Sequence, residues 1–374
     1  MHTKGGRLVR LLTVGSLPPE WGGPLRGGAA TFHGALLESL LDRGSEVEVV
    51  GVLADAPLSR ELPVPVWDRP ENVSRATFYE AVLERTRPDV VLMNHIAHTV
   101  GVTHARLGSP VPALGVIQSW HNVTFSRGEE RRRAQEVTRE ALSGLGAMVA
   151  VSRHTAEEGE RLGFEYPPGV EMIHNPVPPL YMEKDVDVRR DERSGALFLG
   201  SLIPRKAPGA LVEAAALLPE LAVSLVGQGE LKGELRARIA ALGIEHRVRI
   251  AEPPPADGHL PWIRRALLRA EVMCMPSRSE GLPLAFVEAL ACGTPVVGFG
   301  PAVEEIRDTV GIDVGEPLRS GAPEEVAAAL EGVFATRWDR SRLRRATIEA
   351  FGLDYATDRY LEVLSRVAIS PARA

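Results

Sequence analysis

Two glutamates eight positions apart, Glu280 and Glu288, bracket the segment Ser277-Arg-Ser-Glu280-Gly-Leu-Pro-Leu-Ala-Phe-Val-Glu288. An apolar run of strand length, Val272 to Met275, precedes it, and Leu284 to Ala291 has the length and composition of a helix. A strand that enters a helix through a Gly-containing turn concentrates free backbone N–H groups and the positive end of a helix dipole at one point. Pro283 suits the first helical position, where its missing N–H costs nothing. Such a turn can hold an anionic group such as a diphosphate, and a carboxylate on either side can grip neutral hydroxyls. The bland alternative is a helix start with two solvated glutamates.

Other polar residues also follow apolar runs. Gly200-Ser201-Leu-Ile-Pro-Arg205-Lys206 comes after Ala196 to Leu199; its adjacent Arg and Lys offer a planar fork and a point charge to phosphate oxygens. The next loop begins Gly227-Gln-Gly229, which lacks the third glycine of a dinucleotide fingerprint. In the first half, Gly27-Gly28 enters a predicted helix and lets backbone approach a ligand closely. Ser119-Trp-His121-Asn follows Ala113 to Gln118, and His95 follows Asp89 to Met93; either histidine can hydrogen-bond a polar ligand or be structural. Asp185-Val-Asp187 lies in a charged, aperiodic stretch and reads as coincidence, and no His or carboxylate cluster has metal spacing. Arg131-Arg132-Arg133 is offset by Glu129, Glu130, Glu136 and Glu140 and reads as a solvated helix face. A contact with an acidic acceptor or an anionic membrane surface is the alternative.

The elements that must position these residues alternate throughout. Predicted strands are Leu8–Val14, Glu46–Leu53, Asp89–Met93, Ala113–Gln118, Ala147–Ser152, Val170–His174, Ala196–Gly200, Ala222–Val226, Val248–Ala251, Val272–Met275 and Pro295–Gly298. Amphipathic helices such as Thr31–Arg43, Ala76–Thr86, Leu231–Leu242 and Glu324–Ala335 lie between them. Alternation of this kind predicts α/β architecture with parallel sheets covered on both faces. With 374 residues the chain is too long for one ordinary core. The charge-rich run 179–194 divides it into domains 1–178 and 195–353, with a final helical segment 354–374.

A charged fraction of 25%, 44% hydrophobic residues and a net charge of −6 describe a globular chain and argue against nucleic-acid binding as its task. Its two cysteines, Cys274 and Cys292, lie in apolar runs and read as buried thiols. No apolar stretch approaches the roughly 20 residues that span a bilayer, and the N-terminus has no signal-like apolar core, so the expected location is cytoplasmic.

Taken in chain order, these pieces resemble the retaining glycosyltransferases of family 4. The resemblance rests on the Gly-Gly loop, His121, Gly-Ser-x-x-x-Arg-Lys, Val-Gly-x-Gly, Pro-Ser-x-x-Glu-Gly with Glu-Ala eight positions on, Cys292-Gly-Thr-Pro-Val-Val297 and Glu304-Glu305-Ile306. It runs from roughly Leu8 to Leu364 and is more specific in the second half. It implies a GT-B fold: two Rossmann-like, doubly wound domains facing a cleft that closes on the ligand, with the helix Asp354–Val367 returning to the first domain.

The resemblance also implies roles. Arg205 and Lys206 neutralise the diphosphate of a nucleotide-sugar donor as its bond to the sugar breaks, and Glu288 holds the ribose. Glu280 and the amides of Gly281, Leu282, Leu284 and Ala285 hold the transferred sugar and phosphate. His121 contacts the sugar, Gly27 and Gly28 the phosphates, and Glu252 and Pro253 the base through their backbone. Ser201 stands where many members carry Arg, so Arg205 supplies that charge, as in the similar bacterial lipopolysaccharide transferases. The implied activity is metal-independent transfer of a hexose from a UDP or GDP sugar to an acceptor hydroxyl, with no cofactor. The acceptor, whether a sugar, a lipid-linked group or a small molecule, is not legible, and a weak peripheral membrane contact stays open. The alternatives are a non-catalytic sugar-binding protein and a sugar-nucleotide epimerase of the same fold.

Overall fold

A computed structural model of the chain describes residues 8–23, 27–54, 57–95, 99–183, 192–252 and 256–369. Pro253, Asp185 and Asp187 lie outside the described residues. The chain divides into two compact units; the first runs to Asn175 and resumes at Leu353, and the second spans Pro176–Gly352.

In the first unit, β1 (Val9–Val14), β2 (Val47–Leu53), β3 (Val66–Trp67), β4 (Val90–Asn94), β5 (Ala113–Ile117), β6 (Ala147–Ala150) and β7 (Val170–Met172) form a seven-stranded sheet. Its order is β3-β2-β1-β4-β5-β6-β7 and its pairings are parallel. The central strands are near-continuous runs of Val, Leu, Ile and Met because both faces are covered; every residue of β4 and β5 is buried. Helices α1 (Gly28–Asp42), α2 (Arg75–Thr86), α3 (Thr99–Leu107), α4 (His121–Thr124), α5 (Gly128–Ser143) and α6 (Arg153–Arg161) connect the strands. Ser74 caps α2 by accepting from Thr77 N, and Ser152 caps α6 by accepting from Thr155 N.

The second unit begins with the short α7 (Pro179–Met182). Its strands β8 (Ala196–Leu199), β9 (Val223–Val226), β10 (Val248–Ala251), β11 (Val272–Met275), β12 (Val296–Phe299) and β13 (Gly315–Leu318) form a parallel sheet in the order β10-β9-β8-β11-β12-β13. Helices α8 (Pro208–Leu217), α9 (Lys232–Ala241), α10 (Ala256–Arg269), α11 (Leu284–Ala291), α12 (Gly300–Val310), α13 (Pro323–Ala335) and α14 (Arg340–Ala350) flank it. Both sheets are therefore doubly wound, as the alternation predicts, and in each the strand order reverses at one place.

Two strands went unpredicted, and both are sheet edges. β3 has two residues between proline-rich flanks, and β13 contains Pro317, which only an edge strand tolerates. Pro283 is the N-cap of α11, with extended ψ of 120°, rather than its first residue; the helix opens at Leu284.

The last helix, α15 (Leu353–Ile369), belongs to the first unit, as the returning C-terminal helix was expected to. It packs on α1, where the Tyr360 and Phe32 rings lie 5.8 Å apart. Thr357 Oγ1 donates to Ser39 Oγ at 2.8 Å, and Arg43 pairs with Asp358 at 2.8 Å. Glu171 in β7 accepts from Arg359 and Arg366 at 3.0 and 2.7 Å. Tyr360 is fully buried, yet its hydroxyl has no partner among the described residues. Its contribution is thus packing alone. Tyr360→Ala should lower unfolding free energy by about 3–5 kcal/mol, whereas Tyr360→Phe should leave it unchanged or raise it. Denaturant titration checks both, and a large loss in the Phe variant would show that the hydroxyl is bonded after all.

Candidate functional site

In the second unit the strand order reverses between β8 and β11, so the loops leaving their carboxyl ends are neighbours although about 75 residues separate them in sequence. The β8 loop ends in a single 3-10 turn, Pro204–Lys206, that presents Arg205 and Lys206 side by side. Ala207 follows with φ +48°, a left-handed conformation that costs a non-glycine residue about 1–3 kcal/mol and joins the turn to α8. The β11 loop carries Ser277 to Pro283 into the amino end of α11.

The two loops are joined by four hydrogen bonds around one carboxylate. Glu280 Oε1 accepts from Lys206 Nζ at 2.5 Å and from Arg205 Nη1 at 3.2 Å. Arg205 Nη1 also donates to the Ser279 carbonyl at 3.1 Å, and the Arg278 amide donates to the Arg205 carbonyl at 2.9 Å. Glu280 is only 5% exposed. Burial pushes its pKa up, but the charges of Lys206 and Arg205 more than offset this and hold it below the usual carboxylate value. Burial pulls the Lys206 pKa down, and Arg205 adds to that; the Glu280 charge opposes both only in part. The cluster thus holds two cations and one anion.

Its support comes from the neighbouring glycines. A Cβ on Gly227 would lie 1.8 Å from the Gly200 carbonyl oxygen, and one on Gly229 would lie 2.3 Å from that of Leu202. Leu202 N also donates to the Gln228 carbonyl at 2.8 Å. The Gly-x-Gly pair therefore lets the β9 loop pack against the β8 loop and fixes the approach to Arg205 and Lys206. Gly227 is placed as a buttress of the β8 loop, with no direct ligand role needed to explain it. Ser201 is exposed on the same loop.

Gly281 and Leu282 form the buried turn before α11, and Leu284 and Ala285 are its first two residues. Glu288 lies one turn further along α11 and is 8% exposed. Nothing offsets its burial, which pushes its pKa up to about 7. Glu252, after β10, is exposed and ion-paired with Lys232, which holds its pKa below the usual value. Its side chain is thereby committed to the surface.

The remaining predicted residues lie in the first unit. Gly27 is the N-cap of α1 and Gly28 its first residue; a Cβ on Gly27 would meet nothing, so packing alone does not require glycine there. His121 opens α4, where its Nδ1 lies 2.9 Å from Ser119 Oγ and its ring 6.1 Å from that of Phe125. Arg132 pairs with Glu129 at 2.7 Å on an exposed face of α5, in keeping with a solvated helix.

Sequence reading missed the polar group where this sheet reverses, between β1 and β4. Asn94 closes β4, donates from Nδ2 to the Ala29 carbonyl at 2.8 Å, and leaves a buried Oδ1 without a partner among the described residues. Next to it His95 has φ +71°, and Gly15 lies so close to Asn94 that a Cβ would sit 3.0 Å from the Asn94 Cβ. A polar residue ending the run Val-Val-Leu-Met was the available signal.

The carboxyl of Glu288 gives a pH test. Its folded pKa, about 7, exceeds the ordinary 4.5, so the folded protein keeps a proton that the unfolded chain has released. This contribution to stability is full below pH 4.5 and is lost as pH rises through about 7. Glu288→Gln, which cannot ionise, should flatten the fall in melting temperature over that interval. Equal slopes for the parent and the variant would remove the assignment.

Known proteins share this architecture. A family model described as "Glycosyl transferases group 1" matches residues 183–350, and one described as "Glycosyltransferase Family 4" matches residues 26–179. The D-inositol 3-phosphate glycosyltransferase of Mycolicibacterium gilvum is 37% identical over 159 residues, covering 41% of this chain and 34% of that protein. The enzyme of the same name from Paenarthrobacter aurescens is 30% identical over 261 residues, covering 62% and 60%. The matches thus span about a third to three fifths of these relatives. Among solved structures, HepE of Anabaena in complex with UDP superposes with TM-score 0.70 at 18% identity, covering 96% of this chain and 100% of that one. Sucrose-phosphate synthase of Thermosynechococcus elongatus gives 0.74 at 16%, covering 96% and 99%. With two doubly wound sheets and one family model matching each half, the chain belongs to the glycosyltransferases of family 4 type with the GT-B fold.

Proposed function

We propose that the chain transfers a hexose from a UDP or GDP sugar to an acceptor hydroxyl with retention of the anomeric configuration. The observation that carries this reading is the Arg205–Lys206–Glu280 cluster at the switch point, directly before the amino end of α11. Two cations and a helix terminus suit an anionic diphosphate, while the acidic residues Glu280 and Glu288 suit hydroxyls. The solved complexes of HepE with UDP and UDP-glucose concern a protein of the same fold and support a nucleotide-sugar donor.

In this reading the bond from the sugar carbon to the β-phosphate oxygen breaks, and its electron pair stays on that oxygen. The acceptor oxygen bonds to the same carbon on the same face, and its proton passes to the departing phosphate oxygen. Stabilising the growing phosphate charge is the main task, and Arg205, Lys206 and the amides of Gly281, Leu282, Leu284 and Ala285 perform it. Arg205 has five N–H donors, of which the Ser279 and Glu280 contacts use only part, so it can take phosphate oxygens without leaving Glu280. Glu288 holds the ribose. His121 contacts the sugar, and Gly27 and Gly28 serve the phosphates, as the family resemblance implies. With these cations in place, no metal ion is needed. A non-catalytic sugar-binding protein has no comparable use for a half-buried basic pair, and turnover of the donor distinguishes the two.

Glu288→Ala and Lys206→Ala should each weaken UDP or GDP binding by about 1.5–3 kcal/mol, read by titration calorimetry. Unchanged affinity in both variants removes the site. Transfer should persist in excess EDTA and yield an α-linked product from an α-linked donor, read by NMR. A β-linked product, or activity abolished by EDTA and restored by Mn²⁺, overturns the mechanism.

A further inference from the structure

Arg278 is the single exposed residue between Val272 and Leu284; every other residue in that stretch is buried. A solvated arginine on a loose loop would mean little, but this one is fixed from both sides. Its own amide donates to the Arg205 carbonyl at 2.9 Å, and the carbonyl of the next residue, Ser279, accepts from Arg205 Nη1 at 3.1 Å. The loop thus cannot move at Arg278 without breaking the joint between the β8 and β11 ends. Among the described residues its guanidinium has no hydrogen-bond or ion-pair partner, in contrast to Arg205 and Lys206, which both serve Glu280. The adjacent Ser279 hydroxyl is 5% exposed and also lacks a partner among the described residues. A buried donor without an acceptor within the chain is costly, and is expected where a ligand completes the bonding.

Charge points the same way. Glu280 is shared by Arg205 and Lys206, so the joined loops carry two cations against one anion before Arg278 adds a third cation. No carboxylate answers that surplus within the loop Pro276–Pro283 except Glu280 itself. An exposed guanidinium carried on a tethered backbone at the carboxyl end of a central strand, beside a surplus of positive charge, suits the planar, bidentate recognition of an oxyanion.

We propose that Arg278 is a substrate-binding residue that contacts a phosphate group in this site, with the Ser279 hydroxyl as a neighbouring donor. The proposal rests on the glycosyltransferase reading of the site and adds a contact to it. The phosphate has two chemically equivalent sources, the donor diphosphate and a phosphomonoester on the acceptor.

The test uses the full chain and four variants: Arg278→Gln, Arg278→Lys, Ser279→Ala and Glu288→Ala, each checked for a single cooperative melting transition above the assay temperature. Calorimetry with UDP and with uridine reads the donor source. D-inositol 3-phosphate and inositol, added to protein saturated with UDP, read the acceptor source. If the donor is bound, Arg278→Gln should weaken UDP about tenfold while uridine binding is unchanged, with Arg278→Lys intermediate. If the acceptor is bound, UDP affinity should stay and the preference for the phosphorylated inositol should vanish. Ser279→Ala should act on the same ligand by a smaller factor. Overturning the proposal requires only that Arg278→Gln leave UDP affinity unchanged and that phosphate-dependent inositol binding be unchanged, or absent in the parent. In that outcome, weaker UDP binding by Glu288→Ala would keep the site reading intact. No effect of Glu288→Ala would instead bring down the reading on which the proposal stands.

Discussion

The joint between the β8 and β11 loops depends on one buried carboxylate. Glu280 cannot lie 5% exposed as an anion without compensation, and Lys206 and Arg205 cannot be half-buried as neighbouring cations without a counter-charge. Each group therefore makes the others tolerable. Once the three are together, the bond from the Arg278 amide to the Arg205 carbonyl and that from the Arg205 guanidinium to the Ser279 carbonyl follow, and the amino end of α11 is held against the basic turn. Sheet topology makes this possible: β8 and β11 are adjacent because the winding reverses there, and no other pair of neighbouring strands in this sheet leaves an open fork between loops running to opposite sides.

Compensation is deliberately unequal at the second glutamate. Glu288 is almost as buried as Glu280 but has no cation to offset the loss of water, and its pKa rises to about 7. Two carboxylates on one short stretch are thus prepared differently, one held ionised by its partners and one near its titration point. A group near its titration point can accept hydroxyl donors as an anion at little cost in proton release. The difference arises from neighbours rather than from residue type.

The glycines have divided roles. Gly227 and Gly229 are required by packing, since a side chain at either would strike the backbone of the β8 loop. Gly27 meets nothing and has extended backbone with φ 178°, so neither packing nor conformation requires glycine there. In the first unit the place where the winding reverses holds Asn94, His95 and Gly15, which combine a buried unpaired acceptor atom with a left-handed histidine. Such strain and incomplete bonding persist only where the surroundings enforce them.

Much of this was legible in the chain. Val272–Met275 as a strand, Leu284–Ala291 as a helix and the doubly wound class follow from local runs and alternation, because apolar periodicity is a local property. Arg205, Lys206, Glu280 and Glu288 were recognisable because their types and spacing carry chemistry wherever the loops sit. The edge strands β3 and β13 were not, since edges tolerate short, proline-containing segments that lack a strand pattern. Asn94 was missed, and Arg278 was passed over, for a related reason: a polar residue after a strand gains meaning only from what surrounds it. The sequence alone determined which residues could bind an anion and which segments would be strands and helices. Only the tertiary structure decided that Glu280 would neutralise Lys206 while Glu288 went unpaired, that Gly227 would be a buttress, and that Arg278 would stand exposed. Those outcomes depend on which loops meet, and that is set by strand order and burial across distances no local pattern records.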